Sequence, residues 1–232
     1  KKYLTHVKSM HTDLNLPFIA TESPMIQHII QGIKCFHGKK DRKPKQPITL
    51  PVLIDILAHF QPEAKPGHLA VYAACCIAFS GLLHCGEFTA KSADKIFLPA
   101  FQLSQASVQF LSSFDEASYA ILFLPTSKTD PFQKDISICL AAALGRPTCS
   151  ITVLKALIPN GTVPDIMLPL FLSLDDLSKS ITCAFFISTI HKAFTSASYD
   201  PTLFVEHSFQ QDGASAVAVA ECSDHEIQML GH

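Results

Sequence analysis

The residues best suited to chemistry lie near the end of the chain, where a histidine and a glutamine are three positions apart. His207 and Gln210 would project from the same face of a helix, because residues i and i+3 are neighbours there. An H-x-x-R pair with this spacing brings an imidazole and a guanidinium fork to one phosphate. Gln210 is neutral, so the pattern predicts a phosphate-binding frame that has lost its guanidinium.

The elements that must position this pair are predicted to be mainly helical. Thr49 is the expected N-cap of one helix, with Pro51 tolerated in its first turn. Another helix is apolar on nearly all sides and is therefore expected at the centre of the fold. Apolar residues at helical spacing place helices at 3–16, 24–34, 49–60, 67–84, 149–158, 180–197, 208–221 and 224–230.

Three short strands are predicted between these helices, at 107–111, 119–125 and 135–140. Lys128 falls in the turn-rich hairpin loop between the last two strands. The expected fold class is mainly α with a small antiparallel β-sheet (α+β).

Composition excludes several function classes. The chain has 232 residues, is 48% hydrophobic and only 16% charged, so a large core is expected and global disorder is not. A net charge of −2 argues against a strong nonspecific nucleic-acid binder. The longest apolar run, 69–83, is too short to cross a bilayer, and no signal peptide opens the chain. We expect no membrane partner and a nuclear or other intracellular location rather than secretion.

The eight cysteines do not form a metal-binding pattern. No C-x-x-C occurs, and neither Cys35-x-His37 nor His84-Cys85 has a second ligand pair at zinc-finger spacing. We therefore expect reduced, mostly buried thiols, with no metal and no cofactor.

A basic segment without apolar side chains, HGKKDRKPKQP at 37–47, is predicted to be a linker. It is either a solvated tether or a strap along a nucleic-acid backbone. The candidate backbone contacts are Lys39, Lys40, Arg42, Lys43 and Lys45.

Five segments, taken in order, resemble the tyrosine recombinase (phage-integrase-like) superfamily, and most nearly the crypton-type recombinase-like proteins of fungal mobile elements. They are PITLPVLIDIL (47–57), AACCIAFSGLLHCGEFT (73–89), SKTDPFQKD (127–135), DPTLFVEHSFQQDGASAVAVA (200–220) and EIQMLGH (226–232). The resemblance implies a recombinase catalytic-core fold over 47–232, truncated at its C-terminus. It also implies that 1–35 is the end of a helical core-binding (SAM-like) domain, with 36–46 as the basic linker.

The family resemblance also implies a mechanism. A tyrosine attacks a DNA phosphodiester and forms a 3′-phosphotyrosyl bond, without a metal or nucleotide cofactor. Two arginines and one or two His/Trp residues hold the phosphate oxygens, and a lysine on the β-hairpin protonates the leaving 5′-oxygen.

When the family's catalytic residues are compared with this sequence one by one, the histidine and the lysine are present and both arginines are replaced. His84 of LLHCGEF stands at the first arginine position and Gln210 at the second, while Lys128 and His207 are intact. By strict counting, His232 stands at the arginine of the family's L-G-R-W motif. Alternatively, it stands at the Trp of that motif. The nucleophile segment has no counterpart: Tyr3, Tyr72, Tyr119 and Tyr199 all lie elsewhere.

These departures predict an inactive enzyme. Each lost preorganised donor costs about 10²–10³ in rate. His84 replaces an arginine's charge only when it is protonated, with an ordinary pKa of about 6.5. Glu206 and Asp212 stand where the family has glycine and would repel a phosphate. We expect a DNA-binding or DNA-integration domain with weak or vestigial affinity that does not cut DNA, and a homo-oligomer only on DNA.

The substitutions share a direction. Arg to His at 84 and 232, Arg to Gln at 210 and 211, and Gly to Glu or Asp at 206, 212 and 221 each follow from one G-to-A change. We hypothesise a mobile-element copy decayed by cytosine deamination. Sequencing of the locus tests this: a stop codon in place of the Trp codon, followed by a readable tyrosine segment, is expected after codon 232.

Other readings stay open. The chain is an active enzyme if another chain or further sequence supplies the nucleophile. It is alternatively a helical interaction module that does not bind DNA, or a decayed remnant. Without the resemblance, His207 is a hydrogen-bonded histidine at a helix start, and Lys128 is a solvated turn lysine.

Overall fold

A computed structural model describes residues 2–19, 23–37, 45–63, 66–93, 96–125, 136–158, 165–173, 176, 178–205 and 208–209. The chain divides into two compact units, Lys1–Pro44 and Lys45–His232. The predicted boundaries at 35 and 47 fall close to this division and remain predictions.

The first unit contributes two helices, α1 (Lys2–Asp13) and α2 (Pro24–His37). Both were expected, with slightly different ends. Apolar residues of α2 recur at i, i+4, i+8 and i+11, which is the spacing of one helical face. That face is exposed along its length: Met25, Ile29, Ile33 and Phe36 are 54–76% accessible.

The second unit contains five helices and three strands among the described residues. They are α3 (Leu50–Leu57), α4 (Pro66–Ser80), α5 (Cys85–Phe88), β1 (Val108–Leu111), β2 (Tyr119–Leu124), β3 (Ile136–Ala141), α6 (Ser150–Leu157) and α7 (Cys183–Ser196). The predicted α+β class is confirmed.

Helix α4 lies at the centre of the second unit, as its sequence predicts. Its residues 73–78 are completely buried, and it packs against α6 and α7, while α3 packs against α7. Small side chains such as Ala73, Ala74 and Cys75 let these neighbours approach on every side. Thr49 caps α3 as expected, accepting a hydrogen bond from the Val52 N–H at 3.5 Å.

The sheet has the order β1-β2-β3 and is antiparallel throughout. Val108 pairs with Leu122, and Leu124 pairs with Ile136. One face is buried and the other faces outward, because alternate residues of a strand point to opposite sides. The buried face carries Val108, Ala120, Leu122, Leu124, Ile138 and Leu140. All three predicted strands are confirmed.

Several predicted helices were too long, including the one expected over 49–60, which ends at Leu57, and for two others the reason is identifiable. The helix expected over 67–84 ends at Ser80, because Leu82 adopts a left-handed φ of 53° and the Leu83 N–H turns back to the Ala78 carbonyl. The helix expected over 180–197 begins at Cys183, because Ser180 and Thr182 form β-bridges with Leu172 and Ala90. The helices expected at 208–221 and 224–230 lie outside the described residues, apart from Ser208 and Phe209.

Within the described ranges, four of the cysteines are buried and none is in a disulfide. No group of three or more metal-ligating side chains occurs in this part of the chain. None of the helices described here has the length and hydropathy required of a membrane span.

Candidate functional site

His84 stands at the N-cap of α5, in the short turn that follows the central helix α4. Its backbone is extended, with φ −75° and ψ 145°, and its side chain is half-buried. The sharp end of α4 at Leu82 sets this position, since a continuing helix would have placed His84 on the α4 surface. The turn therefore holds the residue at the predicted first arginine position near the protein surface.

Glu87 fixes the backbone of His84. Its Oε2 accepts a hydrogen bond from the His84 N–H at 2.8 Å, and the Glu87 N–H donates to the His84 carbonyl at 2.9 Å. Two bonds between the N-cap and the third residue of a helix make a reciprocal cap. The carboxylate is 9% accessible, so the H-C-G-E spacing has a structural role in positioning His84.

A chain of aromatic rings links α5 to the segment that contains His207. Phe88 lies four residues after His84 and contacts Phe186 of α7, with ring centroids 4.9 Å apart. Phe209 lies two residues after His207 and contacts the same Phe186 ring at 5.8 Å. The three rings are 3% accessible or less. Two motifs about 120 residues apart in sequence are thus brought to one side chain of α7.

The start of the second unit runs beside the segment that leads to His207. The Gln46 N–H donates to the Leu203 carbonyl at 2.8 Å, and the Ile48 N–H donates to the Ser208 carbonyl at 3.0 Å. Ser208 is fully buried, and its Oγ accepts from the Val205 N–H at 3.0 Å. Residues on both sides of Glu206 and His207 are therefore held firmly by the core.

Among the predicted backbone-contact residues, Lys45 falls in the described part of the chain. Its Nζ donates to the Thr202 carbonyl at 2.6 Å, which points the ammonium towards the segment before His207. Lys39, Lys40, Arg42, Lys43, Lys128, His207, Gln210 and His232 lie outside the described residues.

Two of the described tyrosines, Tyr72 and Tyr199, donate hydrogen bonds within the protein. Tyr72 donates to the Pro147 carbonyl at 2.6 Å, and burial, with the neighbouring Cys76 and Cys75 thiols, raises its pKa to about 12. Tyr199 donates to Asp55 Oδ2 at 2.6 Å, and this hydrogen bond raises the pKa of Tyr199 above its ordinary value. A raised pKa disfavours the phenolate that attack on phosphorus requires.

Two of the predicted phosphate-binding residues, His84 and Lys45, lie in the described part of the chain. His84 can present a cation to a phosphate when protonated, and Lys45 can present its remaining ammonium protons. The sequence did not reveal the three phenylalanines that join the two motifs. The available signal was that each motif ends in phenylalanine, G-E-F at 86–88 and H-S-F at 207–209.

Neither a scan of protein-family models nor a search of curated proteins finds a match to this chain.

Proposed function

We propose that this chain is a DNA-binding domain of the tyrosine-recombinase type that holds DNA without cleaving it. The proposal rests on the ordered motifs of 47–232 and on one structural observation. That observation is the convergence of Phe88 and Phe209 on Phe186. A recombinase site requires the first-arginine turn and the H-x-x-R segment to act on the same phosphate, and contacts with one α7 side chain support the proposal that these two segments lie near each other.

Three features support binding without cleavage. His84 and Gln210 replace the two guanidinium groups that would carry most of the transition-state charge. Tyr72 and Tyr199 are each committed to a hydrogen bond within the protein. Weak phosphate contacts tolerate these changes far better than catalysis does, because binding needs no charge build-up at phosphorus.

Fluorescence anisotropy with a labelled duplex, titrated at several salt concentrations, tests the binding claim. We expect a Kd of roughly 10⁻⁴–10⁻⁶ M near physiological salt, weakening steeply as salt rises. Replacing Lys39, Lys40 and Lys43 with Gln should make the slope of log K against log salt shallower by about 2 to 3, since each phosphate contact contributes about 0.9.

A matched variant separates local contacts from net charge. Lys8, Lys91 and Lys192 are all exposed, and changing these three to Gln alters the total charge equally. The salt slope should stay close to that of the parent chain. Equal losses in the two triple variants would mean that the basic segment is only a solvated tether.

The exposed face of α2 favours a second candidate, a helical interaction module that does not bind DNA. Four large apolar side chains on one helical face are unusual for a surface in contact with water. This candidate predicts no salt-dependent DNA binding at any salt concentration, so the same titration distinguishes it from the first.

A further inference from the structure

Two cysteines from distant parts of the chain lie against each other beside His84. Cys85 begins α5 and Cys183 begins α7, and their Sγ atoms are 3.0 Å apart although the residues are 98 positions apart in sequence. A disulfide has an S–S distance of about 2.05 Å. The two sulfur atoms therefore need to approach by only about 1 Å.

The backbone around both cysteines is already tied together. The Ala90 N–H donates to the Ile181 carbonyl at 2.8 Å, and the Cys183 N–H donates to the Ala90 carbonyl at 3.1 Å. On the other side, the Thr89 hydroxyl donates to the Cys85 carbonyl at 2.6 Å. These bonds hold α5 and the start of α7 in register, so a covalent bond between the sulfur atoms requires little rearrangement.

We propose that Cys85 and Cys183 are a thiol-oxidation site that forms a reversible disulfide with a small-molecule disulfide as the oxidant. The Cys183 sulfur attacks the oxidant, the oxidant's S–S bond breaks, and one thiol leaves. Cys85 then attacks the mixed disulfide at Cys183, and the second thiol leaves. The two cysteine protons pass to the two released thiols, the oxidant is reduced and the cysteine pair is oxidised.

Exposure sets the order of these steps. Cys183 is half-buried, whereas Cys85 is 2% accessible, so the oxidant reaches Cys183 first and Cys85 resolves the adduct. The adjacent Cys75 and Cys76 are poor competitors. Burial, together with the neighbouring Cys76 and Cys85 thiols, raises the pKa of Cys75, and burial with nearby Cys149 raises that of Cys76 to about 12. Both thiols are completely buried, and a raised pKa disfavours the reactive thiolate.

Cys149 is the competitor that the experiment must resolve. Burial opposes ionisation of its thiol, but hydrogen bonds with Thr152 outweigh that effect and lower its pKa. Its side chain is 1% accessible, which denies a small disulfide direct access.

The test uses the full chain with Cys35→Ser and Cys139→Ser, which removes the two cysteines that are exposed in the described ranges, so that six of the eight cysteines remain. The protein is equilibrated with glutathione disulfide and glutathione at defined ratios, then denatured and treated with N-ethylmaleimide. Intact mass should show six adducts in reducing buffer and four in oxidising buffer. The oxidised form should melt about 5 °C or more higher, because the bridge closes a long loop.

Bridge location is read from fragment ions, because Cys75, Cys76 and Cys85 share the tryptic peptide 46–91. Cys85→Ser in the same background should trap one glutathione on Cys183, and Cys183→Ser should trap none on Cys85. A circular dichroism spectrum checks that each variant folds. If one variant does not fold, fragment mapping of the protein that keeps both Cys85 and Cys183 still locates the bridge. Six adducts in oxidising buffer, or a bridge through Cys149, would overturn the proposal.

Discussion

At the scale of single residues, His84 determines what the candidate site can still do. Its backbone is held by Glu87 while its side chain remains half-buried, so the proposed first-arginine position is a fixed turn that carries an imidazole. A histidine donates one or two hydrogen bonds where arginine offers five in a planar fork. The proposed site is therefore expected to bind phosphate weakly.

Restoring both arginines should raise DNA affinity. His84→Arg combined with Gln210→Arg supplies two permanent charges and two bidentate donors at one proposed phosphate site. We expect binding to tighten by about three- to tenfold at pH 7.5, measured by anisotropy at fixed salt.

A control with the same residue types removes the effect of net charge. His59 and Gln109 are both exposed and lie at least 25 residues from His84 and from Gln210 in sequence, so His59→Arg with Gln109→Arg adds the same charge elsewhere. An equal gain in this control would show that the two arginine positions do not form one phosphate site.

At the scale of elements, the ends of α4 and α7 share one unusual feature. Each helix stops at a non-glycine residue in the left-handed region, Leu82 with φ 53° and Ser198 with φ 64°. In each, the next N–H returns to a carbonyl in the last turn, Leu83 to Ala78 and Tyr199 to Phe194. This is the usual helix-ending motif with glycine replaced, and it carries conformational strain.

Glycine at the end of α7 should therefore stabilise the protein. Ser198 is exposed, so Ser198→Gly relieves the left-handed strain without loss of packing, and we expect a gain of about 0.5–1 kcal/mol in the free energy of unfolding. Ser196→Gly, two residues earlier within the helix, should instead cost about 0.5 kcal/mol. Urea unfolding of both variants checks this, and a loss of stability in Ser198→Gly would contradict it.

Phe186 should couple the two motif segments. It is fully buried between Phe88 and Phe209, so Phe186→Leu should cost about 1–2 kcal/mol and loosen both contacts together. Hydrogen exchange by mass spectrometry should show faster exchange in 82–90 and in 203–209. Phe110→Leu, which removes a ring contact with Phe114 beside the sheet, should leave both segments unchanged. Faster exchange in only one segment would show that Phe186 does not couple the two motif segments.

Sequence periodicity predicted these elements better than it predicted their ends. The alternation at 119–125 and the apolar run at 67–84 place β2 and α4 correctly, because burial of one face or of the whole element determines those patterns. The end of α4 was missed because Leu82 is a helix former by type, and only tertiary contacts hold it in a left-handed conformation. The three converging phenylalanines were missed for the same reason, since contacts across the fold leave no periodic signal.

At the scale of the whole molecule, we propose that the chain binds DNA and does not cleave it. Because the net charge is −2, the attraction between the protein and DNA must come from local basic groups rather than from the overall charge. Within the described part of the second unit, a buried core holds the turn at His84 and the residues at 203–205 and 208–209. Substituted site residues on such a core are what the proposed loss of catalysis with retained binding requires.

One binding reaction, divided between two gels, tests this claim most directly. The chain is incubated with a labelled duplex that carries a nick, so that any 3′-phosphotyrosyl adduct formed by strand cleavage is trapped. We predict a shifted band on the native gel that weakens with salt, and no shifted band on the denaturing gel. A protein–DNA band that survives denaturation, or no native shift even at low salt, would contradict the account.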